Sequence, residues 1–215
     1  EIGWCDWSSD VCSSDLIRMS ALQGLPVLHI FTHDSFFVGE DGPTHQPVEH
    51  VSSLRLIPNL LVLRPADARE SAACMAVALR QSARPSVLIF TRQGLPVLDL
   101  PENLEAHVAK GAYIVHEPEG GPESLLLASG SEVHLALEAA RALPERKIRV
   151  ISVPCMELFD EQPEAYRESV LPRAVTRRMA IEAGRSGLWY KYVGLDGKVW
   201  RVNHSGRLVD RKSVV

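Results

Sequence analysis

The stretch Leu60 to Phe90, L-L-V-L-R-P-A-D-A-R-E-S-A-A-C-M-A-V-A-L-R-Q-S-A-R-P-S-V-L-I-F, decides the fold class. It opens on a short apolar run, Leu60 to Leu63, stopped by Arg64-Pro65, and closes on a second run, Ser86 to Phe90. Runs of that length with no alternation read as strands buried on both faces. Between them Asp67 can cap a helix, with Glu70 three residues later in the capping-box position. The helix is expected to turn Ala72, Met75, Ala76 and Leu79 to the core. Strand, helix, strand at this spacing predicts a parallel crossover unit, and hence an α/β protein with mainly parallel sheets.

Working outward, Leu25 to Phe31 is another buried-strand run, and its end delivers Thr32, His33, Asp34 and Ser35. Open α/β sheets gather ligand-binding groups at such carboxyl ends. A second α/β set follows a charged, proline-containing stretch. Tyr113 to Val115, Leu125 to Leu127, Ile148 to Val153 and Met179 to Glu182 read as strands. Ser129 and Glu132 match a capping box for a helix that should bury Val133, Leu137, Ala140 and Leu143. The expected division is a first α/β unit over 17–95, a linker over 96–111 and a second unit over 112–200. The opening 1–16 and closing 201–215 lack strand or helix periodicity; they resemble adapter-derived sequence, no packed element is expected there, and both are expected to be non-native.

At 215 residues, two modest domains are expected. With 23 basic and 27 acidic side chains the formal charge is −4, and no basic stripe with interleaved aromatics favours nucleic acid. Cys5, Cys12, Cys74 and Cys155 have neither zinc-site spacing nor disulfide-scaffold density, which suits reduced thiols. With no spanning apolar run and no signal-peptide pattern, neither a membrane partner nor export is expected, and a cytoplasmic location is the reading.

The chemistry-bearing residues crowd one loop. His33, Asp34, Glu40, Asp41, His45, Glu49 and His50 lie among Gly39, Gly42, Pro43 and Pro47, which fix tight turns. Imidazoles and carboxylates could ligate a metal, but no pair has the i, i+4 spacing of H-E-x-x-H, so no metal site is expected. Arg92, just past the strand ending at Phe90, could grip a phosphate with two parallel hydrogen bonds. A salt bridge to Asp67 or Glu70 is the other reading, and spacing does not choose between them. Walker, G-x-G-x-x-G and nucleophile-elbow motifs are lacking.

Several motifs in order resemble the C-terminal part of transketolases. They are I-R-M-S-A-L at Ile17, T-H-D-S at Thr32, G-E-D-G-P-T-H-Q-P-V-E at Gly39, L-R-L-I-P-N-L at Leu54, R-P-A-D at Arg64, T-R-Q at Thr91, A-S-G-S-E-V at Ala128, Y-R-E-S-V-L-P at Tyr166 and W-Y-K-Y-V-G at Trp189. Deoxyxylulose phosphate synthase and the pyruvate dehydrogenase beta chain share the layout but lack the combined G-E-D-G-P-T-H-Q-P and T-R-Q. The resemblance implies part of a pyrimidine-binding domain followed by a transketolase C-terminal domain. It also implies an enzyme, a cytoplasmic homodimer of the pentose phosphate pathway, that uses thiamine diphosphate and magnesium to move a two-carbon ketol unit between sugar phosphates. By the same resemblance His33 and Arg92 bind phosphate, Asp41 reads a sugar hydroxyl, and His45 stands beside the reacting carbons as the catalytic imidazole. The family's cofactor-binding residues have no counterpart in this sequence, so the chain alone is expected to be inactive. A C-terminal subunit of a split enzyme and a non-catalytic sugar-phosphate-binding module are the alternatives.

Overall fold

Buried apolar strands organise the computed structural model, which describes residues 2–4, 11–37 and 45–201. The first unit holds β1 (Ile2–Trp4), α1 (Val11–Gln23), β2 (Leu28–Thr32), α2 (His50–Leu54), β3 (Leu61–Leu63), α3 (Ala68–Leu79) and β4 (Ser86–Phe90). Its sheet is entirely parallel, in the order β1-β2-β4-β3. After α4 (Leu104–Val108) come β5 (Tyr113–His116), β6 (Ser124–Ala128), α5 (Glu132–Ala142), β7 (Ile148–Ser152), α6 (Met156–Asp160), α7 (Glu164–Val170), β8 (Arg178–Glu182), α8 (Tyr190–Val193) and β9 (Lys198–Arg201). These strands order as β5-β7-β6-β8-β9, with β5 alone antiparallel. The chain is therefore the expected α/β protein with mainly parallel sheets.

The crossover from β3 through α3 to β4 forms as the sequence reads, because Asp67 accepts a hydrogen bond from Glu70 N at 2.8 Å. The helix face differs. Glu70, Ala73, Cys74, Val77 and Ala78 are buried, whereas Leu79 is 66% exposed. The core they enter contains Leu61, Leu63 and Leu88 of the first sheet together with Tyr113, Cys155 and Leu158, so one core spans both units. The stretch expected as a linker supplies Leu100, Leu104 and Val108 to that same core, with α4 packed on α3. Gly111 ends it at φ +83, where an added Cβ would lie 2.2 Å from Phe159 N. Only glycine fits that approach.

Three further expectations change. α5 starts at Glu132 behind Ser131, without a side-chain cap; Ser129 instead accepts a bond from Arg55 at 3.3 Å. The helix buries Val133, Leu137 and Ala140, but Leu143 at its end is half exposed. The opening residues, expected to pack nowhere, contribute β1 and the start of α1. β1 pairs in parallel with β2, Ile2 with Leu28 and Trp4 with Ile30, and backbone pairing at a strand edge needs no side-chain periodicity. Of the closing segment only Arg201 is described.

Glu70 links the two units through its carboxylate, which accepts from Ala66 N (2.5 Å), Tyr113 Oη (2.6 Å) and Ser152 Oγ (2.8 Å). Burial pushes its carboxyl up to about 7 against the pull of those donors. A folded-state value above the unfolded one means the folded chain holds the proton more tightly. That stabilisation is present in full below about 4.5 and is lost as the pH rises through about 7. Urea unfolding between pH 5 and 8 should therefore show stability falling with pH, and Glu70→Gln should flatten the fall. An unchanged slope in the variant would assign it elsewhere.

Candidate functional site

Strand register brings two of the sequence-predicted residues, His33 and Arg92, to one end of the first sheet. Thr32 at the end of β2 is the register partner of Phe90 at the end of β4. His33 follows the first and Arg92 stands two residues beyond the second, so both leave neighbouring parallel strands at the same carboxyl end. His33 adopts φ 66, a left-handed conformation uncommon outside glycine, and its Nδ1 lies 2.9 Å from Thr32 Oγ1. Arg92 is exposed. The two carboxylates considered as its partners are otherwise engaged: Asp67 holds Glu70 N and Leu98 N, each at 2.8 Å, and Glu70 holds the three donors named above. Among the described residues no carboxylate pairs with Arg92, which removes the salt-bridge reading. His45 is exposed and leads through buried Pro47 and Val48 into α2. Asp41 and Glu40 lie outside the described residues.

Asp34, read from sequence as one of the clustered binding groups, is instead buried against Arg64. Arg64 follows β3 at the same sheet end and is fully buried, donating from Nε and Nη2 to Asp34 Oδ2 at 2.8 and 2.6 Å. Its Nη1 donates to Glu182 Oε1 (2.8 Å), to Ser129 O (2.9 Å) and to Glu132 Oε2. Glu182 also receives Trp189 Nε1 at 2.8 Å and sits 3.6 Å from Arg55 Nη1. Two guanidinium groups thus face three carboxylates. Burial pushes the Glu132 carboxyl up, opposed by the charge of Arg64, and the carboxylates hold Arg64 firmly protonated despite its burial. Gly130, at φ +61, leaves no room for a Cβ, which would lie 2.7 Å from Arg64 Cζ. Sequence reading named Asp34, Arg64, Ser129 and Glu132 in other roles and did not join them into this network. Its one local signal is charge placed directly at the ends of apolar strands, as at Arg64 and Glu182.

This donor set does not fit a magnesium-bound diphosphate. Asp34, Glu132 and Glu182 are committed to Arg64, and among the described residues no group of three His, Cys, Asp or Glu side chains is arranged to hold a metal. No step through such a group is assigned to these residues.

Fold and edge together define an α/β protein of two joined units, whose first sheet presents an imidazole and, at the same carboxyl end, a guanidinium with no carboxylate partner among the described residues. Residues 4–97 match the family described as "Transketolase, pyrimidine binding domain", and residues 111–215 match "Transketolase-like TK C-terminal domain". The probable transketolase of Streptococcus pneumoniae is 53% identical over 192 residues, covering 88% of this chain and 29% of the relative. The solved transketolase of Leishmania mexicana superposes with a TM-score of 0.86 at 39% identity, covering 95% of this chain and 30% of that one. A chain titled as a split-gene transketolase, an inactive β4 tetramer, shares the fold at a TM-score of 0.71 and 21% identity, covering 92% of this chain and 65% of its own. The chain belongs to the transketolase family, a family of transferases whose pyrimidine-binding domain implies thiamine diphosphate, and it spans under a third of the curated relatives it matches.

Proposed function

We propose that this chain is the sugar-phosphate-reading part of a transketolase that transfers a two-carbon ketol unit from a ketose phosphate to an aldose phosphate. The observation that carries the reading is the placement of His33 and Arg92 at one sheet edge, with Arg92 exposed and unpaired among the described residues. A guanidinium there offers two parallel donors to a phosphate, and the neighbouring imidazole adds a third. Asp41, in the loop between, reads a hydroxyl of the sugar. A site built on that bond discriminates against the epimer lacking it. His45 stands beside the reacting carbons, where a neutral imidazole can donate or accept a proton.

Thiamine diphosphate and magnesium bind through residues outside this chain, which alone is inactive. The complete enzyme is a cytoplasmic homodimer of the pentose phosphate pathway without nucleic-acid or membrane partners. Among the described residues no helix is long and apolar enough to cross a membrane. A second reading, a C-terminal subunit whose partner supplies the cofactor, assigns the same residues; a chain titled as a split-gene transketolase shares the fold.

Nuclear magnetic resonance titration of the chain tests the reading. Ribose 5-phosphate should shift the His33 imidazole signals while ribose leaves them in place. Equal responses to both sugars, or none to either, would count against it.

A further inference from the structure

The segment that carries His33 and His45 belongs to the first unit, yet the second unit holds it at both flanks. On the front flank Asp34 follows His33 directly and is gripped by Arg64, whose other donors reach Glu132, Glu182 and Ser129 O. On the rear flank Val48, three residues past His45, accepts a hydrogen bond from Arg185 N at 3.1 Å. Gly184 approaches so closely that a Cβ there would lie 2.9 Å from Val48 O. One side chain joins the flanks. Glu132 Oε2 takes the Arg64 guanidinium and also the Ala183 N–H, at 3.2 Å, at the head of the loop that reaches Val48.

The backbone at His33 gives these contacts a purpose beyond packing. A left-handed φ at a histidine persists only where neighbouring contacts over-determine it, and the next residue is the one Arg64 clamps. Fixing the two ends of a loop within a fraction of an ångström is what a binding constellation needs from its supporting contacts.

We propose that Glu132, acting through Arg64 and the Ala183–Arg185 loop, is a positioning residue for the sugar-phosphate site, so that the second unit sets the placement of His33 and His45. The inference rests on the sugar-phosphate reading above. Glu132 does not touch the sugar. Its effect reaches His33 through Arg64 and Asp34, and His45 through Ala183 and Val48.

The test uses the whole chain with ribose 5-phosphate as probe, following the assigned imidazole signals of His33 and His45. Glu132→Gln keeps the shape but places an amide donor against the guanidinium. It should move both imidazole signals in the free protein and weaken ribose 5-phosphate by about tenfold, the scale of one lost charge-assisted contact. Gly184→Ala presses hardest on the rear flank, at Val48 O, and meets Glu182 only at ordinary contact distance; it should move His45 more than His33 and weaken binding by a smaller factor. Arg84→Ala, which opens the remote Arg84–Glu161 ion pair, should change neither. Folded Glu132→Gln and Gly184→Ala proteins with unaltered signals and affinity would overturn the proposal, as would an equal loss in Arg84→Ala. If Glu132→Gln does not fold, Gly184→Ala decides alone. A wild-type chain that does not respond to ribose 5-phosphate overturns the sugar-phosphate reading itself, an outcome separate from a responding wild type with indifferent variants.

Discussion

Arg64→Met should be the most destabilising substitution in the chain. It leaves Asp34, Glu132 and Glu182 facing one another in the interior with Arg55, 3.6 Å from Glu182, the one compensating cation among the described residues. Removing one partner from a buried ionic network costs about 3 to 5 kcal/mol, a large share of the ~5 to 15 kcal/mol that holds a typical native protein together. For a domain of this size that lowers the melting temperature by roughly 6 to 20 °C, readable by circular dichroism. Adding Glu132→Gln to Arg64→Met should recover part of the loss, since it removes one uncompensated charge. Against the wild-type background the same Glu132→Gln should destabilise. That reversal of sign is the coupling expected of residues sharing one network. A fall of only about 2 °C for Arg64→Met, within the range of an ordinary surface substitution, would mean the network contributes little.

Local features of this fold are legible in the sequence and non-local ones are not. The Asp67 cap and the β3-α3-β4 crossover depend on residues a few positions apart, and each forms as the pattern reads. The α3 face does not. Of the residues apolar periodicity favours, Met75 packs against the shared core while Leu79 is exposed, and the side that enters the core carries Glu70, whose carboxylate is satisfied by Tyr113 and Ser152 of the other unit. Arg64 is harder still, because its carboxylates lie 30, 68 and 118 residues away in sequence. Periodicity contains no trace of such partners. His33 and Arg92 occupy an intermediate position. Each is recognisable as the residue delivered by a buried strand, while their shared edge depends on β4 pairing directly with β2, which is a property of strand order. The same order explains why Arg92 escapes Asp67 and Glu70: both begin α3 and spend their oxygens on backbone and hydroxyl donors there.

The central claim is that Arg92 grips the phosphate of the sugar, and its most direct test is the kinetics of Arg92→Ala within the full-length enzyme. A guanidinium that holds the phosphate in ground state and transition state alike contributes uniform binding, so its loss should chiefly raise KM and leave kcat less affected. With charge-assisted hydrogen bonds contributing about 1.5 to 3 kcal/mol, kcat/KM for ribose 5-phosphate should fall roughly tenfold to a hundredfold. Unphosphorylated acceptors should keep their kcat/KM, and the melting temperature should hold, because Arg92 is exposed and pairs with no carboxylate among the described residues. His33→Ala should show the same selectivity with a smaller loss, one imidazole making fewer bonds than a guanidinium. An Arg92→Ala enzyme that loses activity equally towards phosphorylated and unphosphorylated acceptors would contradict the account and remove Arg92 from the site.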